Sequence, residues 1–172
     1  MGKKWQKGFS FVEYIIILFF SSVFVFLLIY ILNPIDQIQI LRDNIRKADL
    51  GKLQIALEKY YKENRKYPSS SVGPNYKIIR PDATVADWGQ RWQLPYMGTL
   101  PKDPVYPRQT YIYYAASDGQ SFYIYASLER GSQSSKTCNL EGPCLSLMKN
   151  KIPFDACGGI CNYAVTSPNV SP

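Results

Sequence analysis

The alternation of apolar and charged positions divides the chain into stretches of different character. Between Glu13 and Asp36 no charged residue occurs, and most of the 22 positions from Tyr14 to Ile35 are aliphatic or aromatic. As a helix that run rises about 33 Å, the thickness of a bilayer's hydrocarbon core. Residues 9–35 therefore read as a membrane-crossing helix. Asn33-Pro34 closes it: proline removes a helical hydrogen bond and crowds the preceding turn, so a kink or local break is expected there. Beyond it the pattern changes. Ile38, Leu41, Ile45, Ala48, Leu53, Ala56, Leu57 and Tyr60 recur mostly three or four apart with charges between them. This spacing predicts an amphipathic helix over 36–67 that ends near Asn64, ahead of Tyr67-Pro68. The stripe is expected to pack on the chain's own sheet.

Seven prolines between Pro68 and Pro107 exclude long regular elements from the middle of the chain. One short helix is expected over Ala83–Trp92, which would put Trp88 and Trp92 on one face of a packed connection. Leu100-Pro-Lys-Asp-Pro104 reads as a rigid turn. Tyr111–Ala116 and Ser121–Glu129 alternate as strands around Ser117-Asp-Gly-Gln120, and Asp-Gly is a strong hairpin signal. The pattern places Phe122, Ile124, Ala126 and Leu128 inward, answered by Ile112, Tyr114 and Ala116, with Tyr123, Tyr125 and Ser127 on the other face. After Gly131 the chain reads as a loop-rich tail.

All four cysteines lie in that tail, at Cys138, Cys144, Cys157 and Cys161. An even number clustered in an exported chain suggests disulfides. Local pairing, Cys138–Cys144 with Cys157–Cys161, is the first expectation; cross-pairing would tie the tail together more tightly. A zinc site of four thiolates is the competing use, although structural zinc favours tighter spacings. The chain has no histidine, which removes histidine-based triads and histidine metal ligands. No other constellation supports catalysis. Of the net charge of +7, three units belong to Lys3, Lys4 and Lys7 in the first eight residues. The head is nearly balanced, which argues against a strong nucleic-acid footprint. Lys52, Lys59, Lys62, Arg65 and Lys66 leave a weak basic stripe on the amphipathic helix.

Residues 1–8 form a basic leader that keeps the N-terminus cytoplasmic by the positive-inside rule. No small-residue cleavage site follows the apolar run, so the run is expected to stay on the mature chain. Glu13 is the one carboxylate among apolar neighbours, where a charge costs about 2.5–3.5 kcal/mol at a helix centre and less near the interface. If the chain is cut after Gly8, the new α-amine of Phe9 lies one helical turn away and supplies a partner, within one chain or from an axially shifted neighbour.

The run Gly8-Phe-Ser-Phe-Val-Glu13, with its basic leader and apolar continuation, resembles the prepilin signal of type IV pilins and type II secretion pseudopilins. Ala48–Pro68, ending in Tyr-Tyr, a basic turn and Tyr-Pro, is similar to the same group, and Leu100–Pro104 followed by Tyr111 is loosely so. The resemblance implies cleavage after Gly8 by a prepilin peptidase, N-methylation of Phe9, and an assembly role for Glu13 in a filament core. It implies an α+β pilin fold: a long N-terminal helix, its second half packed on a small antiparallel sheet. The division expected is leader 1–8, membrane and assembly helix 9–35, amphipathic half 36–67, and head 68–172 with hairpin 111–129 and cysteine-rich tail 130–172. The implied function is a structural filament subunit, partnered by copies of itself, other pilins and an inner-membrane assembly platform, with the head outside the cytoplasmic membrane. A competence-type pilin that binds DNA and a plain single-span anchor are the alternatives. Major pseudopilins bind calcium through acidic C-terminal loops. Here residues 131–172 supply only Glu141 and Asp155, so no calcium site and no other cofactor is expected.

Overall fold

The computed structural model describes residues 10–74, 76–131, 138 and 142–172. The chain divides into two compact units between Ile38 and Gln39. In the first, α1 spans Phe11–Leu32 and none of its residues is buried. It is long and apolar enough to cross a membrane. The expected break is present. Asn33 adopts the left-handed conformation, φ 40° and ψ 65°, which asparagine tolerates better than most residues. Its backbone N–H still reaches the carbonyl of Ile29, at 3.2 Å. Pro34 then opens α2, Pro34–Asn64, at the helix position where a missing N–H costs nothing. Asn33 Nδ2 donates to Asp36 Oδ2 at 2.7 Å across the junction.

In the second unit α2 ends as predicted, with Arg65 at φ 59° and its N–H on the carbonyl of Tyr61. The segment up to Thr99 forms two small antiparallel ribbons: β1 (Ile78–Ile79) with β2 (Val85–Ala86), and β3 (Arg91–Gln93) with β4 (Met97–Thr99). No helix forms over Ala83–Trp92. Ala83 sits at φ 64° and Gly89 at φ 84°, and two left-handed residues so close together cannot belong to one helix. Trp88 and Trp92 are nonetheless both buried in the main core.

The main sheet has the order β5-β6-β7, from Ile112–Ala115, Phe122–Ala126 and Tyr163–Thr166, all antiparallel. The predicted turn is present, with Gly119 at φ 68°. β7 was not expected in a tail that reads as loop. The inward face of β6 is as predicted, but β5 is reversed. Ala115 pairs with Phe122 and Tyr113 with Ile124. Directly opposed residues share a face, so the odd-numbered residues of β5 go with the inward residues of β6. Tyr111, Tyr113 and Ala115 therefore join Leu50, Leu53, Ala56 and Leu57 of α2 in the core, whereas Ile112 and Tyr114 face the other way. Polarity could not give this register because both faces are covered. Ile112 and Tyr125 are buried on the outer side beneath Cys144, Leu147, Ile152, Cys157 and Cys161. Leu147 belongs to the short α3, Ser146–Lys149.

Burial of tyrosines in place of aliphatic residues requires partners for their hydroxyls. Tyr113 donates to the carbonyl of Pro68 at 2.6 Å and Tyr111 to Asp49 at 3.0 Å. The Tyr125 hydroxyl meets Ser146 Oγ at 2.9 Å. Burial raises the phenol pKa of Tyr111 and Tyr113, and pushes Tyr125 up to about 12. A pKa raised by folding gives stability that is complete below the unfolded value of about 10 and lost as pH rises through the folded value. Alkaline titration of the phenolate absorbance is expected to show exposed tyrosines ionising first. The buried group should ionise only together with loss of near-UV circular dichroism.

Candidate functional site

Three features of the chain bear on function: the surface of α1 with Glu13, the face of α2, and the ties that hold the head together. Ser10 stands at the N-cap of α1 in an extended conformation. Its backbone N–H donates to Glu13 Oε2 at 2.6 Å. The carboxylate is thus turned back toward the N-terminal end of the helix, where a helix offers free N–H groups and positive potential. Gly8 and Phe9 lie outside the described residues.

The stripe along α2 does not run as predicted. The buried positions are Asp43, Arg46, Leu50, Leu53, Ala56 and Leu57. The upper half matches the expected apolar face, with Leu50 added. In the lower half the apolar residues point away from the core: Ile38 is 49% exposed, Leu41 60% and Ile45 40%. Further along, Ala48 and Ile55 are also exposed. Charged residues occupy the inward positions in their place.

Those inward charges form one network around Arg46, whose side chain is fully buried. A guanidinium has five N–H donors, and each finds an acceptor. Nε and Nη2 contact the two carboxylate oxygens of Asp103 at 2.7 and 3.1 Å. Nη1 donates to Asp43 Oδ1 at 2.8 Å and Glu129 Oε1 at 2.9 Å. Nη2 also donates to Gln109 Oε1 at 2.5 Å. Asp43 in turn accepts the backbone N–H groups of Glu129 and Arg130, both at 2.9 Å. Arg42 clamps Glu129 from outside, Nε–Oε1 2.7 Å and Nη2–Oε2 2.5 Å. Burial works against the charge of Arg46, but its hydrogen bonds to Asp103, Glu129 and Asp43 outweigh this and raise its pKa. The hydrogen bond from Arg42, reinforced by Arg46, holds the Glu129 carboxyl below the usual range. Three carboxylates surround one cation, the guanidinium of the protein's own arginine. The network joins α2, the Pro101–Pro104 turn and the end of the hairpin. Sequence reading missed it by taking the charges of this helix only as filling between the apolar positions of the stripe. The signal was the spacing 43, 46, 50, 53, 57, one continuous helical stripe whose first two members are charged.

The tail is held by the local disulfides, Cys138–Cys144 and Cys157–Cys161. The pairing is the local one, and the cross-paired arrangement is not formed. The loops are tied to each other all the same. Cys144 N–H bonds the carbonyl of Cys161 at 2.9 Å, and Cys138 N–H bonds that of Asn162 at 3.0 Å. The Cys157–Cys161 loop lies so close to its neighbours that a Cβ at Gly158 would fall 2.0 Å from the carbonyl oxygen of Arg108. Replacing Cys157 and Cys161 together by alanine is expected to cost about 2 kcal/mol, the loop-closure value for so short a ring. Chemical denaturation of the two proteins measures it.

An exposed apolar helix carrying one N-terminal carboxylate, followed by a second helix packed on a small antiparallel sheet, defines the pilin fold. Within that class the chain belongs to the type II secretion system protein G family, a family of pseudopilins: the family model matches residues 35–141. The match begins after α1 and so rests on α2 and the head, independently of the leader and Glu13. It ends before Cys144, Cys157 and Cys161, which leaves most of the disulfide-bonded tail outside it. No curated protein and no solved structure matches the chain.

Proposed function

We propose that this protein is a structural subunit of a type II secretion pseudopilus, stored in the cytoplasmic membrane and drawn into a filament with copies of itself and related pseudopilins. The observation that carries this reading is the condition of α1. It has 22 residues, none of them buried by the rest of the chain, and its one carboxylate stands in the first turn. Lipid satisfies such a surface before assembly and neighbouring helices satisfy it afterwards. On α2 the exposed row Leu41, Ile45, Ala48 and Ile55 supplies a second contact for neighbours. A plain anchor has no use for that row.

On this reading prepilin peptidase cuts after Gly8, Phe9 becomes the methylated N-terminus, and an inner-membrane platform extracts the subunit. The N-terminus starts on the cytoplasmic side and the head outside. Glu13, already turned toward the N-terminal end of α1, pairs with the freed amine of Phe9 in its own chain or in an adjoining one. The family's role is structural and none of the residues described is given a catalytic part. Coexpression with a prepilin peptidase tests the processing step. Intact-mass spectrometry is expected to show a chain beginning at N-methyl-Phe9, whereas a chain retaining Met1–Gly8 in the presence of active peptidase contradicts it.

A further inference from the structure

The head is built in three layers. Leu50, Leu53, Ala56 and Leu57 of α2 pack on the inner face of the main sheet. Leu147, Ile152 and the tail cysteines pack on its outer face. Each outer layer buries one side and leaves the other to its surroundings. On α2 that other side carries Leu41, Ile45, Ala48 and Ile55, all exposed and at helical spacing along one face.

The tail has an outward apolar side as well. Leu145, Met148, Phe154 and Ile160 are each between 45 and 65% exposed. Backbone hydrogen bonds gather them from separate stretches of the tail. The Cys161 N–H meets the carbonyl of Phe154, and the Cys144 N–H meets that of Cys161, both at 2.9 Å. Ile160 and Leu145 are the immediate neighbours of those cysteines, and Met148 bonds back to the Leu145 carbonyl at 3.3 Å. Leu147, between Leu145 and Met148, is turned down onto the sheet. An apolar cluster left outside by a tail that has already buried its inward residues marks an interaction surface.

A contact that uses one patch twice closes after two subunits. A contact between two different patches continues as a helical polymer. This head offers two apolar patches on opposite layers, and the charges set in them agree. Lys52 stands exposed in the α2 row, with Asp49 only at 3.9 Å. Asp155, next to Phe154, is exposed and has no cation within ion-pair distance among the described residues. We infer that the outward side of the tail docks on the outward row of α2 in a second copy of the chain, with Asp155 facing Lys52. The inference rests on the filament reading and names the second surface that reading needs. It places that surface beyond residue 141, where the family match ends, and makes the disulfide loops the frame of a subunit contact. Lys149 and Lys151 border the patch and make an anionic lipid surface the competing occupant, which Asp155 within the patch disfavours.

Photocrosslinking of the full-length chain tests it, in cells that carry a type II secretion assembly system, with p-benzoylphenylalanine in place of Ile160 or, separately, Phe154. Irradiated filaments are expected to yield a covalent dimer whose joined peptide maps to residues 41–55 of the other copy. The same replacement at Val72, which is more exposed but lies on the loop ahead of β1, should give no such peptide. Lys52→Asp should lower the dimer yield about threefold, the order of effect of one exposed ion pair. Adding Asp155→Lys to it should restore the yield. Filaments whose Ile160 and Phe154 products map elsewhere or only to lipid overturn the inference. So does an equal product from Val72, or a double variant no better than Lys52→Asp alone. Each of these results leaves the filament reading standing, whereas absence of filaments overturns both.

Discussion

Replacing Arg46 with methionine is expected to lower the stability of the head by about 3–5 kcal/mol, the cost of removing one partner from a buried ion network. The substitution keeps most of the side-chain volume, so the loss reports charge rather than a cavity. It strands Asp43 and Asp103, which are almost wholly buried, and takes one of the two arginines from Glu129. Arg42→Met is the comparison. Its side chain is 28% exposed, and loss of a half-solvated pair costs about 1 kcal/mol or less. Denaturant titration of the two variants in micelles separates them; equal midpoints would contradict the account of Arg46 as the tie between α2 and the head. The network also sets an acid limit. Glu129, held below its ordinary pKa by Arg42 and Arg46, contributes stability that is present above the unfolded carboxylate value of about 4.3. That contribution is lost as pH falls through the lower folded value. The wild-type head should therefore lose stability below about pH 4, and Arg46→Met should lose less over the same interval.

Glu13→Gln is expected to leave membrane insertion intact and reduce filament yield by about an order of magnitude or more. A neutral amide crosses the bilayer more easily than a carboxylate, so insertion has no reason to fall. On the proposed reading the pair with the α-amine of Phe9 is lost, because an amide carries no charge to offset that of the amine, and with it the contact that would set the register of adjoining subunits in a low-dielectric helix bundle. Membrane fractionation and filament shearing measure the two steps separately. Normal filament yield would favour an incidental acid near the headgroups, and poor insertion would point to a folding defect instead.

What the sequence made legible follows from which residues answer to one physical demand. The 22-residue apolar run, the break at Asn33-Pro34, the end of α2 and the Asp-Gly hairpin each depend on local chemistry. Each stands where the pattern put it. The failures occur where two demands compete. β5 was assigned the wrong inward face because the disulfide-bonded tail covers the side that should have been wet, and Tyr111 and Tyr113, with satisfied hydroxyls, fill the core where Ile112 and Tyr114 were expected. The lower half of α2 misled for the opposite reason. Its apolar residues are left outside, and its inward positions hold charges that become legible only when Asp103 and Glu129, 57 and 83 residues away from Arg46, arrive beside them. The short helix expected over 83–92 is forbidden by the backbone conformation at Ala83 and Gly89. β7 is a four-residue strand, Tyr-Ala-Val-Thr, too short to stand out between disulfide loop and terminus.

The central claim is that α1 is an assembly surface and not only an anchor. Immunogold electron microscopy tests it most directly, in cells that carry a type II secretion assembly system and express this chain with an epitope on the head. The account predicts filaments decorated along their length by the epitope, and their loss when the peptidase gene is deleted. Epitope confined to the membrane, with filaments that remain unlabelled, would contradict it.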